Sequence, residues 1–348
     1  MIFFDTTKTG RRARRSGLDR VSTRLRESLG PTVREVIWDG ILRDARSRKP
    51  IALGNGDTFL TTELFSEPER PGFTEFLVSH PGRLAAVFHD AIPLKHPHIT
   101  WPQSVARHPG YMKLLARFDR VWAVSQASRA DLLGLWQWQR VERPPPVEVL
   151  VLGADFNAAP RVTARTEPAP ATPQLLCLGI IEPRKNQSFL LEVCADLWSA
   201  GLAFELHLVG RMNPHFGAPT IARLGAIRRV YPRFLHYHAA ADDAGVARLY
   251  ATTRAVVFPT LAEGCGLPLV ESLWMGVPCV CNDLPVLREN AEAGACLLVA
   301  PGDHEAWKDA LRRILTDQAL HGRLAAEATT RPLPTWSEAA RSIVSALR

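Results

Sequence analysis

No run of about 18 uninterrupted apolar residues occurs in the sequence, so a membrane-spanning helix is not expected. The start, Met1 to Asp5, is a short apolar run followed by polar and basic residues, unlike a secretory leader, and the expected location is inside the cell. Cysteine is sparse and one-sided. Cys177, Cys194, Cys265, Cys279, Cys281 and Cys296 all lie in the second half, at spacings that match neither a zinc site nor a small disulfide framework. They are expected to act as small buried apolar residues. Asp-x-Asp does not occur, so carboxylate ligation of a divalent ion is not suggested and no metal is expected. Low-complexity tracts are also missing, and with 46% apolar and 22% charged residues no long stretch should be disordered.

What is present is enough chain for two domains. At 348 residues the length suits two units of about 150 each, which makes a cleft between them a natural ligand site. The net charge of +7 is concentrated at the start, where residues 1–50 hold 13 Lys and Arg against 6 Asp and Glu. Such a region suits an anionic membrane surface, a phosphorylated substrate or nucleic acid, or is simply a solvated basic face. Nucleic-acid binding rests on that charge alone and is not adopted.

Strand-like and helix-like segments alternate through the second half. Strands are expected at 174–179, 204–210, 254–260, 279–281 and 295–300, with helices at 187–200, 242–251, 268–275, 284–291 and 303–316. The first half shows the same rhythm less cleanly, with strands at 2–5, 33–39, 84–88, 121–124 and 147–151 and helices at 18–28, 104–118 and 125–138. This pattern predicts an α/β chain of two Rossmann-like doubly wound domains, each a parallel sheet covered by helices. The domains are drawn at 1–157 and 174–330, joined by a Pro-, Ala- and Thr-rich linker at 158–173. Residues 331–348 form a terminal helix, open to packing back on the N-terminal domain.

Ligands in such sheets bind beyond the carboxyl ends of the strands, so the loops there carry the chemistry. After the strand at 254–260 comes Leu261-Ala-Glu263-Gly264-Cys-Gly266-Leu267-Pro268-Leu-Val-Glu271. Gly264 and Gly266 permit a tight turn and close backbone approach, and Pro268 suits the first turn of a helix. That helix would direct free N–H groups at a phosphate, while Glu263 and Glu271 accept hydrogen bonds from sugar hydroxyls. The loop Ile180-Ile-Glu-Pro-Arg184-Lys185-Asn186 precedes another helix, which Asn186 can cap, and brings two cations to its start.

Together with Leu208-Val-Gly210 and Gly276-Val-Pro-Cys-Val, these runs resemble the GT-B retaining glycosyltransferases with the E-x7-E motif, the group that contains bacterial mannosyltransferases and sucrose-phosphate synthase. The resemblance covers nearly all of 174–310 and is thinner in the N-terminal half. It implies two domains facing a central cleft, with the acceptor on the N-terminal and the donor on the C-terminal domain. Glu263 would face the transferred sugar, Glu271 would bind the ribose and Lys185 the diphosphate, with Leu267 and Pro268 beside the phosphate through their backbone. The family arginine after the strand glycine is replaced by Ile180, and Arg184 is assigned its charge. Gly210 belongs to the same donor set. Gly17 resembles the glycine after the first strand, where backbone meets substrate. His89 resembles a histidine that contacts the donor sugar, and Asp90 would orient its ring or meet the acceptor. Ser125 reads as a helix cap rather than a ligand.

The implied reaction is metal-independent retaining transfer of a hexose, mannose favoured, in bacterial cell-envelope polysaccharide synthesis. No cofactor is expected: the nucleotide sugar is a co-substrate, with GDP-sugar favoured over UDP-sugar. The acceptor would be a glycan or a lipid-linked molecule, and the basic start suits peripheral contact with the inner face of a membrane. A GT-B nucleotide-sugar epimerase and a non-catalytic nucleotide-sugar-binding protein fit the same residues.

Overall fold

The continuous apolar runs of the sequence leave few strands with a face for water, which is the condition for parallel pairing under helices. The computed structural model describes residues 1–11, 17–165 and 170–348. Contacts divide the chain into Met1–Gly153 with Pro334–Arg348, and Ala154–Leu333.

The first unit has seven strands: β1 (Ile2–Asp5), β2 (Val33–Trp38), β3 (Leu42–Asp44), β4 (Thr58–Thr61), β5 (Arg83–Phe88), β6 (Arg120–Ala123) and β7 (Val147–Val149). Their order is β3-β2-β1-β4-β5-β6-β7. All pairs are parallel except β2 with β3, which a short return after Trp38 makes antiparallel, so the expected all-parallel sheet fails at this edge. Phe59, Phe73, Phe88, Leu115 and Trp136 fill its core. The final helix, Trp336–Leu347, lies on the helix Gly17–Leu29, burying Trp336, Ile343 and Leu347. Thr335 and Glu338 close its start as a capping box.

The second unit has six strands, all parallel: β8 (Gln174–Leu178), β9 (Glu205–Val209), β10 (Leu235–His238), β11 (Ala255–Phe258), β12 (Cys279–Asn282) and β13 (Cys296–Val299), in the order β10-β9-β8-β11-β12-β13. Leu190, Val193, Leu197, Leu206, Leu208 and Trp307 belong to its core. All six cysteines are free thiols, four buried and two half-buried.

Several elements go beyond the sequence reading. β3, β4, β10 and the helices Phe73–Ser79, Ala218–Val230 and Gln318–Thr330 were not expected. β10 reads Leu-His-Tyr-His, too polar to stand out as a strand, and Ala218–Val230 contains Pro219 and Gly225. The stretch 158–173 is, in its described part, strapped to the second unit. Arg161 donates to the carbonyls of Ala328 and Arg331 and its guanidinium lies 5.8 Å from the Trp274 ring, while Arg165 donates to Thr253 O at 2.7 Å. Residues 166–169 of that stretch lie outside the described residues, as do the basic residues Arg12, Arg14 and Arg15.

Candidate functional site

Chain order decides where each sheet can bind. In the second unit β8 lies between β9 and β11, so the connections leaving β8 and β11 run to opposite sides and open a crevice at their carboxyl ends. The loop after β8 carries Arg184 and Lys185; the loop after β11 carries Glu263. The two loops are stitched together: Leu261 N donates to Arg184 O at 2.8 Å and Thr260 Oγ1 to the same oxygen at 3.2 Å.

Glu263 Oε1 accepts from Lys185 Nζ at 2.5 Å, from Arg184 Nη1 at 3.0 Å and from Thr260 Oγ1 at 2.7 Å. Arg184 also reaches Glu182 Oε1 at 2.9 Å and the carbonyl of Ala262 at 2.8 Å. Lys185 Nζ lies 5.1 Å from the Phe258 ring centre, a cation–π distance. Glu263 and Lys185 keep 9% and 11% of their side-chain surface, so water screens the pair weakly. Burial alone would raise the Glu263 pKa; Lys185 and Arg184 outweigh it and hold the carboxyl below its usual range. Burial and the neighbouring Arg184 lower the Lys185 pKa, with Glu263 opposing them.

Glycines set the spacing of these loops. A Cβ on Gly210, at φ +150°, would stand 2.0 Å from Gly179 O, so the loops after β8 and β9 approach as closely as they do only with glycine there. Gly179, at φ +147°, lets the Lys185 stem pass where a Cβ would sit 3.4 Å from Lys185 Cε. Gly266 precedes the helix Leu267–Trp274 in the left-handed conformation, φ +79°, and a Cβ would meet Leu287 Cδ2 at 2.7 Å. Pro268, which has no N–H of its own, lies in the first turn of that helix, and Leu269 N donates to the Gly266 carbonyl at 3.0 Å. Gly264 lies in the same loop. Glu271 is buried within the helix, and its charge and that of Glu263 both act on Cys265, whose thiol burial and these acids push up to about 12. The two acids therefore share one neighbourhood. Asn186 departs from the expected cap: it sits before the helix Gln187–Ser199 at φ 57° and makes no side-chain capping bond.

In the first unit the reversal falls between β1 and β4. The loops leaving these strands border a cavity of about 420 Å³ lined by Lys8, Glu63, Glu69, Trp101, Arg107 and Tyr111 among others. Beneath it, Arg70 is 1% exposed and bridges Asp5 at 2.8 Å and Glu63 at 2.6 Å. Glu63 also accepts from Lys8 N and Thr9 N, both at 2.8 Å, which ties the loop after β1 to β4. Burial and then the Asp5 charge push the Glu63 carboxyl up to about 7, against the pull of Arg70. Tyr111 has a buried hydroxyl without a hydrogen-bond partner among the described residues.

The remaining expected residues are also in the first unit. His89 follows β5 and is buried; its Nε2 lies 2.7 Å from Thr62 O, so that carbonyl orients the ring, not Asp90 as expected. Burial lowers its pKa, with the Thr62 carbonyl and Asp90 opposing. The Asp90 carboxylate accepts from Ile92 N at 2.9 Å, and its carbonyl pairs with His108 Nε2 at 2.8 Å. Gly17 is the exposed first residue of its helix; a Cβ there would meet nothing within 4 Å, so close approach does not explain this glycine among the described residues. Ser125 accepts from Ser128 N at 3.0 Å as a helix cap. Lys8, Glu63, Arg70 and Trp101 were missed, because the loop leading to Glu63 follows a strand, β4, that the sequence pattern did not reveal.

A family model described as Glycosyl transferases group 1 matches residues 172–317, which contain the whole Lys185–Arg184–Glu263 cluster. This stretch is a glycosyl transferases group 1 domain. The serotype-specific mannosyltransferase WbdA of Escherichia coli is 27% identical over 265 residues, 71% of this chain and 32% of WbdA. The O-antigen chain mannosyltransferase B of Escherichia coli is 28% identical over 209 residues, 57% of this chain and 52% of that protein. The chain thus spans a third to a half of the length of these relatives. Among solved structures, sucrose-phosphate synthase from Thermosynechococcus elongatus superposes with a TM-score of 0.73 at 17% identity, over 99% of this chain and 97% of that one. Anabaena HepE, in complex with UDP and glucose, gives 0.71 at 15%, over 99% and 98%. These likenesses are of fold, and the fold is GT-B. Within the glycosyl transferases group 1 domain, the cluster at the β8–β11 crevice brings two cations and Glu263 near the start of the helix Leu267–Trp274.

Proposed function

We propose that the protein is a retaining glycosyltransferase that moves a hexose, mannose favoured, from a nucleoside diphosphate sugar to a glycan or lipid-linked acceptor. The observation that carries this reading is the buried Lys185–Arg184–Glu263 cluster beside the start of the helix Leu267–Trp274. The mannosyltransferase relatives support the choice of sugar, and a GDP-sugar is favoured over a UDP-sugar on the same ground.

A diphosphate is a stronger partner for two cations than one carboxylate is, because it brings more charge and more acceptor oxygens. On binding it takes over Lys185 and Arg184, with N–H groups at the helix start as further donors. Glu263, released from its ion pairs, then accepts hydrogen bonds from the hexose hydroxyls, and Glu271 from the ribose. As the glycosidic bond breaks, negative charge grows on the leaving phosphate, which the same donors stabilise. The leaving phosphate takes the acceptor proton while the acceptor attacks from the same face. This route requires no side-chain nucleophile and no metal. Unit one supplies the acceptor site, for which the cavity offers an indole surface at Trp101 and the unpartnered Tyr111 hydroxyl.

Thermal shift against GDP- and UDP-sugars tests the reading. A donor at about 100 times its dissociation constant should stabilise the second unit by roughly 2.7 kcal/mol, and Lys185→Met should remove most of that gain. No shift with any nucleotide sugar, or an equal shift in the variant, refutes it. Labelled donor incubated with and without acceptor separates transfer from epimerisation.

A further inference from the structure

The outer edge of the second sheet carries a polar cluster that sugar transfer does not use. β10 pairs with β9 so that His236 lies opposite His207 and His238 opposite Val209, and β8 sets Gln174 opposite Glu205. Side chains alternate across a strand, so Glu205, His207, His236, His238 and Gln174 all point to one face. Leu206, Leu208 and Leu235 point to the other and enter the core.

On the polar face, one oxygen is the meeting point. His207 Nε2 lies 3.0 Å and His236 Nε2 3.7 Å from the same Glu205 Oε2. One ligand-capable atom from each residue lies within 4.8 Å of those of the other two. Two of the three are backed from behind. His238 Nε2 stands 3.1 Å from His207 Nδ1, and Gln174 Nε2 donates to Glu205 Oε2 at 2.9 Å. His236 Nε2 is a buried atom with no hydrogen-bond partner among the described residues.

We propose that Glu205, His207 and His236 bind one divalent transition-metal ion of the zinc class. Two imidazoles and a carboxylate select zinc, cobalt or nickel over magnesium or calcium, which prefer all-oxygen shells. Four-coordinate zinc at 2.0–2.2 Å from its ligands holds them roughly 3.3 Å apart, close to the spacing already present. His238 and Gln174 then orient ligands from the second layer, as such sites require. A cation shared with Glu205 and His207 would give His236 Nε2, which makes no hydrogen bond among the described residues, a partner. Strand rise puts the cluster about 10–15 Å from Gly210 at the ligand-binding end, so the ion pins the four-residue strand β10 to β9 and takes no part in transfer.

Tag-free protein of residues 1–348, stripped with chelator and titrated with zinc in a calorimeter, should bind one equivalent and gain thermal stability in step. Cobalt in its place should give the intense visible bands of a four- or five-coordinate nitrogen and oxygen site, a readout that needs no variant. His236→Gln and Glu205→Gln should each weaken zinc binding at least tenfold while leaving the circular dichroism of the metal-free protein unchanged. His238→Ala should weaken it about tenfold, as loss of an outer-layer partner does. Absence of stoichiometric binding, a six-coordinate cobalt spectrum, or equal binding by His236→Gln and Glu205→Gln overturns the proposal.

Discussion

Replacing Glu263 by Gln removes the carboxylate that is ion-paired to both Lys185 and Arg184 and leaves two half-buried cations side by side. Three donors converge on Glu263 Oε1 within 3.0 Å, and Glu263 and Lys185 keep only 9% and 11% of their side-chain surface. Breaking a buried pair by removing one partner costs about 3–5 kcal/mol, because the remaining charge is neither paired nor solvated. Arg184 retains Glu182 at 2.9 Å, which places the loss near the lower end, about 3 kcal/mol. With a urea m-value of about 2 kcal/mol/M, the transition of the second unit should move down by about 1.5 M. Nucleoside diphosphate should restore part of that shift, since its phosphates pair with the exposed cations. The pH dependence has a defined sign. The Glu263 carboxyl is held below its ordinary range, so its contribution is complete above the unfolded pKa, about 4.3, and is lost as pH falls through the folded value. The gap between wild type and Glu263→Gln should therefore close as the solution is taken well below pH 4. A variant with the wild-type midpoint at neutral pH, or a gap that persists unchanged at the lowest pH where the protein still folds, refutes the reasoning.

Arg70→Met leaves Asp5 and Glu63 facing each other without their guanidinium and should cost the first unit about 3–5 kcal/mol in urea unfolding; a loss under 1 kcal/mol would show that the two acids do not depend on it. Glu63 has the opposite pH sign to Glu263: its raised carboxyl, about 7, binds a proton in the folded state that the unfolded chain gives up above about 4.5. The stability it contributes is full below that lower value and is lost as pH rises through about 7, so the first unit should melt higher at pH 5.5 than at pH 8, and Glu63→Gln should flatten that difference. Gly210→Ala drives a Cβ to 2.0 Å from Gly179 O at φ +150° and should cost about 3 kcal/mol or more while weakening diphosphate binding; wild-type affinity in a folded variant would uncouple this glycine from the site. Thr335→Ala opens the capping box of the last helix and should cost about 1 kcal/mol, seen as a lower melting temperature of the first unit.

How much the sequence disclosed follows from how local each feature is. Lys185, Arg184, Glu263, Gly266 and Pro268 sit in two short loops between strongly apolar strands and helices, so the alternation of the second half located them beside one another. Gly210 was visible as a strand-ending glycine, but the reason for it, contact with the Gly179 carbonyl, needed coordinates. The first unit was harder because its charged centre joins residues 5, 63 and 70 across a strand, Thr58–Thr61, whose four residues are all buried and show no alternation. The run His-Asp-Ala-Ile-Pro drew attention to His89, yet the side chains around the cavity come from Lys8, Glu63 and Trp101. The histidines of β9 and β10 were passed over because each strand alternates them with Leu or Tyr. Only strand pairing shows that the alternation puts them on one face.

The two sheets share a strand order at their centres and place a loop pair at the same topological point, but they solve different electrostatic problems there. In the second unit Lys185 and Arg184 share Glu263 while Arg184 also holds Glu182, an arrangement in which an incoming anion can displace Glu263. In the first unit two acids, Asp5 and Glu63, outnumber one guanidinium, an arrangement that a proton or hydroxyl donors complete. Under the proposed function the two reversal points would divide the substrates: the donor's phosphates would exchange with Glu263 on Lys185 and Arg184, and the acceptor's hydroxyls would donate to the acids of the first unit.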